Sequence, residues 1–426
     1  MPFTSRWGTA FIVLVVLGTV MTAGCTSSVQ PGTTQPKSVT IGALLPLTGD
    51  GANVGANVNS TIHAAEADVN DYLAAANASV RVHLAVKDTG TTPDGALAAM
   101  QALHADGVMA VIGPYSSAEV EAVAPYADQT GMVLISYGST AASLGVARGN
   151  VFRIVPDDSH QGPALAEAMT EQGVSLLIAF IRDDVYGNGL INVTRAAFQQ
   201  RGGVVTAAER FPPNTTNFSG ALDAVRPQLT QVIATYKAGS VGVLFIGFER
   251  NTVPMLIAAG TDPQWSAAPW WGVAATPINA ILANDTAAQV AARVDYTAVQ
   301  QVEGRGARYD RLIQNASVKN TVQTPYGSFA YDAVWIMARA IAEAGAQNTT
   351  ALREAIPRVA RAYAGITGNT TLNAVGDRAY ANYDFWTITS QNGTYVKVET
   401  AQFRTDPRSG ATVIQGPGTT AAVVHA

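Results

Sequence analysis

Val-Ile-Gly-Pro-Tyr-Ser-Ser-Ala-Glu, residues 111–119, turns an apolar run directly into a helix start. Val108 to Ile112 is apolar throughout, as befits a strand covered on both faces. Gly113-Pro114 ends it, and Ser116 stands three residues before Glu119, the capping-box spacing that opens a helix. Free backbone N–H groups at that opening, beside the hydroxyls of Ser116 and Ser117, suit a carboxylate. An ordinary capped helix needs the same residues, so the stretch alone fixes a strand-turn-helix and leaves the ligand open.

Outward from here the pattern repeats. Val39–Leu45 is an apolar strand ended by Pro46, and Asn59–Leu73 carries Ile62, Ala65, Val69 and Leu73 at helical spacing. Val80, Val82, Leu84 and Val86 alternate as a half-buried strand, and Pro93 opens a helix behind the N-cap Thr92. Met132–Ile135 is the next strand. The rhythm restarts after Phe152, with strands at Leu176–Ile181, Val204–Ala207 and Val241–Ile246 and helices at Asn188–Gln200 and Phe218–Tyr236. Arg293–Gln314 and Gly327–Ala344 read as helical, and Tyr383–Phe403 as β-structure. Such units imply parallel sheets covered by helices. The expected fold is α/β, two doubly wound lobes in one chain.

With 426 residues, 48% of them hydrophobic and 13% charged, the chain is too long for one core and suits two. A net charge of −5 and the lack of a basic tract argue against a nucleic-acid partner. The single cysteine, Cys25, follows the greasy run Ala10–Ala23. Arg6 supplies a positive n-region, and Phe11–Leu17 is too short to span a bilayer comfortably. Ala23 and Gly24 precede the cysteine as in a lipoprotein box, although Thr22 stands where leucine is usual. Residues 1–24 therefore read as a signal peptide and Cys25 as a lipidation site, with an uncleaved anchor or a secreted form as the alternative. Residues 25–38 then form a flexible tether, which holds the remainder at the outer face of the cytoplasmic membrane. Ten of 20 asparagines begin Asn-x-Ser/Thr sequons, from Asn59 to Asn392, well above chance. That excess suggests a glycosylated surface protein of an archaeal or other N-glycosylating host, against a merely Thr-rich composition.

Ligands of open parallel sheets bind beyond the carboxyl ends of the strands. Ile135-Ser136-Tyr137-Gly138-Ser139-Thr140 offers hydroxyls there, and a glycine that lets a ligand approach the backbone. In the second half, Arg182-Asp183-Asp184-Val185-Tyr186 follows a strand; Tyr186 could close over a ligand, and the acidic pair could cap a helix. Phe248, Trp270 and Trp271 also follow or end strands, as aromatic walls or simply as core, and Glu249 beside Phe248 reads as a ligand-facing charge or as an exposed partner of Arg250.

Taken in order and spacing, these segments resemble the leucine/isoleucine/valine-binding-protein family of ABC-transporter receptors. The likeness runs through Ile41-Gly42 with Pro46-Leu47-Thr48-Gly49, Lys87-Asp88 with Pro93, Val111–Ser117, Gly131–Thr140, Phe152-Arg153 with Pro156 and Gln161-Gly162-Pro163. It continues through Tyr186-Gly187 with Gly189, Tyr331-Asp332-Ala333 and Gly376-Asp377-Arg378. The resemblance implies a type I periplasmic-binding-protein fold, with crossovers near Phe152–Pro156, Trp271–Val273 and Tyr380–Asp384. On that reading residues 39–153 plus 272–380 form the first lobe, and 154–271 plus 381–426 the second.

It further implies that Ser117 and Thr140 hold an amino-acid carboxylate, that Gly138 and Thr140 receive the ammonium, and that Tyr186 reaches in from the second lobe. The family's acidic partner for the ammonium falls at or beside Ala274, where WWGVAAT has no carboxylate, and a family tyrosine falls at Phe248. A desolvated ammonium without an anion is costly. Either Glu249 supplies the charge, or the ligand is an amine-free carboxylate set among Tyr137, Phe248, Trp270 and Trp271. No nucleophile elbow, phosphate loop or metal-ligand spacing among the five histidines appears, so a receptor without cofactor or metal is expected, not an enzyme. Its partners would be a small solute and an ABC permease; a sensory ligand-binding module is the alternative use.

Overall fold

The computed structural model describes residues 35–145, 149–237, 239–276, 278–302, 304–321, 323–405, 412–415 and 422–424. Cys25 lies outside them. Five parallel strands build the first sheet: β1 (Lys37–Leu45), β2 (Val80–Asp88), β3 (Ala110–Ile112), β4 (Val133–Ser136) and β5 (Val151–Arg153), in the order β2-β1-β3-β4-β5. β1 is fully buried from Ile41 to Leu45 because it lies between β2 and β3 with helices on both faces. The second sheet holds β6 (Leu176–Arg182), β7 (Val204–Phe211), β8 (Val241–Ile246), β9 (Trp270–Gly272) and β10 (Thr297–Gln301). β11 (Ala364–Gly365) and β12 (Gly368–Asn369) make a separate small hairpin. β13 (Asn382–Gln391), β14 (Thr394–Thr405), β15 (Thr412–Gln415) and β16 (Ala422–Val424) then extend the second sheet, giving β16-β15-β14-β13-β10-β9-β8-β6-β7. The strands β6 to β10 run parallel, and β13 onward antiparallel.

The two sheets are the cores of two lobes. Helix Pro325–Ala344 packs along helix Ala52–Ala75 and onto β3 and β4, so it belongs to the first lobe despite its late place in the chain. Helix Asp158–Glu171 packs on helix Val185–Gln200 in the second.

One segment departs from the sequence expectation. Arg293–Gln314 is not one helix: helix Asp285–Arg293 ends, β10 intervenes, and helix Ala307–Gln314 begins after it. Every residue of β10 is buried, because the strand is clasped between β9 and β13. This extra strand also moves the second crossover from its expected place near Trp271–Val273. β9 is an interior strand of the second sheet, not a crossing, and the chain leaves that sheet only after Gln301. Helix Asp285–Arg293 and β10 therefore stand with the second sheet, within a stretch the sequence reading gave to the first lobe.

Buried charged groups hold the segments around the first crossover and the end of the first lobe. Arg153 at the end of β5 donates from Nε and Nη2 to the two Asp377 oxygens, 2.6 Å each. Buried Asp332 accepts from Ile366 N, Thr367 N and the Tyr363 hydroxyl at 2.9–3.0 Å, so the carboxylate is solvated by protein in place of water. Eight sequon asparagines are exposed, and the other two, Asn59 and Asn284, are half-buried.

Candidate functional site

The helix Ser117–Thr130 begins as its residues dictate. The Ser116 hydroxyl accepts from Glu119 N at 3.3 Å, and Glu119 Oε2 accepts from Ser116 N at 2.7 Å, a complete capping box. In its first turn the N–H groups of Ser117 and Ala118 have no intrahelical partner. Ser117 Oγ has three polar neighbours: Ser139 Oγ at 3.1 Å, Thr140 N at 3.2 Å and Ala141 N at 3.1 Å. With its two lone pairs taken by the two amides, the Ser117 hydroxyl has its proton to give, to the Ser139 oxygen or to a ligand in the cavity beside it.

These groups border an enclosed cavity lined by Tyr115, Ser116, Ser117, Gly138, Thr140, Tyr186, Phe248, Ala275 and Tyr326. Its volume is about 10 Å³, room for about one water. Anything larger needs the lobes to part. Tyr115 and Tyr326 come from the first lobe, with ring centroids 5.1 Å apart; Tyr186 and Phe248 come from the second, 5.6 Å apart. Tyr115 meets Phe248 across the cleft at 5.8 Å. Among the described residues the buried Tyr186 hydroxyl has no hydrogen-bond partner, and burial raises its pKa well above that of a free phenol, so it stays a neutral donor.

Asp158, absent from the residues singled out in the sequence, lies directly behind Thr140. Its Oδ2 accepts from Thr140 Oγ1 at 3.1 Å and its Oδ1 from Gln161 Nε2 at 2.7 Å. Gln161 Oε1 in turn accepts from Ala274 N at 2.8 Å. A fully buried carboxyl is thus linked through one side chain to the backbone of Ala274. Burial pushes the Asp158 carboxyl well above the usual carboxylate range, and Asp157 adds to this. The hydrogen bonds from Thr140 and Gln161, and Arg153, pull the other way. Its signal in the sequence is the doubled acid Asp157-Asp158 at a helix start: one caps Ser159 N at 3.0 Å, and the second is turned inward.

Four candidate residues stand elsewhere than expected. Glu249 lines a separate groove of about 380 Å³ at the cleft mouth, where its Oε1 accepts from Asn53 Nδ2 at 2.7 Å. Burial raises its pKa, and the Asn53 hydrogen bond opposes this. Trp271 is wholly buried on β9 and borders a pocket with Ala168, Thr297 and Phe385, away from Ser117. Trp270, likewise wholly buried, packs on Trp265 and Phe180 in the second-lobe core. Tyr137 does not line the cavity but stacks behind Tyr115, centroids 6.3 Å apart. Gly138 does line it, although the space over its Cα is taken by Tyr115: a Cβ there would stand 2.5 Å from the ring and 2.7 Å from the Tyr115 carbonyl. The close approach expected of a ligand is made by a side chain. Among the described residues, no group of three or more His, Cys, Asp or Glu could hold a metal, and no helix is long and apolar enough to cross a membrane.

The sequence profile described as "receptor family ligand binding region" matches residues 57–391. An uncharacterized protein of Methanocaldococcus jannaschii is 29% identical over 423 aligned positions, covering 93% of this chain and 97% of the relative. The leucine-, isoleucine-, valine-, threonine- and alanine-binding protein of Pseudomonas aeruginosa is 26% identical over 309, covering 70% and 76%. Among solved structures, a leucine-binding protein of Thermotoga maritima superposes with a TM-score of 0.68 at 20% identity, covering 84% and 97%. An ABC-transporter solute-binding protein of R. palustris in complex with benzoate does so at 0.66 and 15%, covering 85% and 96%. With the profile spanning most of the chain and the fold repeated in both solved structures, this protein belongs to the receptor ligand-binding-region family, among the type I periplasmic-binding proteins similar to the Leu/Ile/Val-binding proteins.

Proposed function

We propose that the chain is the extracytoplasmic solute receptor of an ABC importer, and that it captures a small amino acid by closing its two lobes. The observation that carries this reading is the Ser117 hydroxyl, which lines the cavity at the start of a helix with both of its acceptor positions taken by the Thr140 and Ala141 amides. A carboxylate suits that donor and the adjoining N–H groups. The ammonium would be received by the Gly138 carbonyl and Thr140 Oγ1, and Asp158 behind Thr140, on losing its proton, would supply the negative charge that Ala274 cannot. Tyr115 and Tyr326 from one lobe and Tyr186 and Phe248 from the other would close on the side chain. Ligand contacts to both lobes then select the closed form. The names of the relatives that bind branched-chain amino acids, threonine and alanine support this class.

A second reading keeps the same carboxylate contacts for an amine-free acid. It is favoured by one observation, that none of the residues lining the cavity is charged; the benzoate-bound neighbour supports it. A thermal-shift screen of amino acids beside amine-free carboxylates separates the two, since a tight ligand raises Tm by mass action. A shift with neither class would refute both. Lipidation of Cys25 and glycans on the accessible sequons complete the proposal. Intact-mass measurement of protein from its native membrane tests them, and an unmodified mass would remove both.

A further inference from the structure

Outside the ligand cavity, Asp50 bridges the lobes. It sits in the turn Gly49–Gly51 after β1, and its two oxygens meet two arginines of the second lobe. Oδ2 accepts from Arg182 Nη1 and Oδ1 from Arg250 Nη1, both at 3.1 Å. Beside this pair lies the Asn53–Glu249 hydrogen bond described above.

Both arms are fixed on their own lobes before they meet. On the first lobe, Gly51 N donates to Thr91 Oγ1 at 3.0 Å, Thr91 Oγ1 donates to Thr48 O at 2.8 Å, and Thr48 Oγ1 donates to Asp88 Oδ2 at 2.7 Å. On the second, Arg182 donates to Asp184 Oδ2 at 2.6 Å, Pro213 O at 3.0 Å and Asn251 Oδ1 at 3.1 Å. Its guanidinium also lies 4.1 Å from the centroid of the Phe248 ring, one wall of the ligand cavity. Arg182 therefore belongs at once to the wall that grips a solute and to the bridge that spans the mouth. The Arg182 side chain is 6% exposed and that of Asp50 13%, so solvent screens this pair little, whereas Arg250 at 49% is screened more.

We infer that Asp50, through Arg182 and secondarily Arg250, is a positioning residue that sets the balance between open and closed lobes and so tunes solute affinity without touching the solute. This rests on the receptor reading above. Parting the lobes must break both ion pairs while leaving each arm intact on its own lobe, which is what a latch requires. A latch that holds the closed form slows escape of the solute, so its loss is read in the dissociation rate. Glu249 then serves closure rather than an ammonium.

The test uses the full chain with Asp50→Asn and, as a milder change at a half-exposed position, Arg250→Gln. Hydrogen exchange is followed at the amides of residues 115–118, 139–141 and 248–251, with Tm as the structural control and L-leucine, L-alanine and benzoate as probes. The expected result for Asp50→Asn is several-fold faster exchange at the cleft amides, about tenfold faster release of whichever probe binds, and a ligand-free Tm near wild type. Arg250→Gln should move both in the same direction by less, and Asp50→Glu should restore part of the loss. Unchanged cleft exchange and release in Asp50→Asn overturn the latch, as does a fall in Tm without faster cleft exchange. Failure of every probe to bind wild type counts against those three solutes and not against the latch, and the exchange comparison then still decides whether Asp50 holds the lobes together.

Discussion

Replacing Ser117 by alanine removes a single oxygen on which two amides and a hydroxyl converge. Two backbone amides, Thr140 N and Ala141 N, and the Ser139 hydroxyl lose their partner in a region where Ser117 is 2% exposed. A buried donor left unsatisfied costs about 1–3 kcal/mol, and the Ser139 hydroxyl can rotate away, so the two amides set the scale at roughly 2–6 kcal/mol before relaxation. The ligand-free protein should therefore lose several degrees of Tm. Separately, the solute carboxylate loses a hydrogen bond to a charged group, about 1.5–3 kcal/mol, which is roughly 10- to 150-fold in Kd. Ser116→Ala is the comparison: it removes the cap on Glu119 N and the hydroxyl's contact with the Glu119 carboxyl, about 1 kcal/mol of stability, and should leave affinity much less changed. Thermal melts and isothermal titration of the three proteins read both quantities. A Ser117→Ala protein that melts lower but binds as wild type would falsify the carboxylate role and leave Ser117 structural. One with unchanged Tm would refute the hydrogen-bond geometry itself.

Asp158→Asn distinguishes the two ligand classes by pH. Because the native carboxyl is raised by burial, the folded state keeps a proton that the unfolded chain has already lost. Wild-type stability should thus fall as pH climbs from the ordinary carboxylate value toward the raised one, while Asp158→Asn should not show that fall. Amino-acid binding should tighten over the same window and weaken about tenfold or more in the variant; binding of an amine-free acid should do neither. Titrations from about pH 4 to pH 8 decide, and pH-independent melting of wild type through that range would contradict the buried carboxyl. Gly138→Ala places a Cβ against Tyr115 and should displace its ring, lowering stability by about 1–3 kcal/mol and loosening the cavity. A crystal structure of the variant with Tyr115 unmoved would contradict that contact.

How much of this was legible depends on the range of the interaction. The capping box at Ser116 and Glu119 and the N-cap at Asp184, which accepts from Gly187 N at 2.9 Å, join residues three apart, so the sequence alone determines them. The apolar strands and their helical alternation are equally local, and with them came the α/β class and the strand ends that carry Ser117 and Thr140. Which face a side chain finally meets is a different matter. Glu249, Trp270 and Trp271 all follow or form strand ends, yet one turns to Asn53 at the mouth and the tryptophans fill the core, because helices distant in sequence decide which side of the sheet is enclosed. β10 was hidden for the same reason: its burial comes from neighbours β9 and β13, not from its own periodicity. Tyr326 reaches Tyr115, and Asp50 reaches Arg182, across separations of 211 and 132 positions. Asp158 reads in the chain as a helix-start acid, which ordinarily points to water. Only the packing of two lobes around it makes it a buried carboxyl beside Thr140, since desolvation is a property of everything that surrounds a group and not of the residues next to it in the chain.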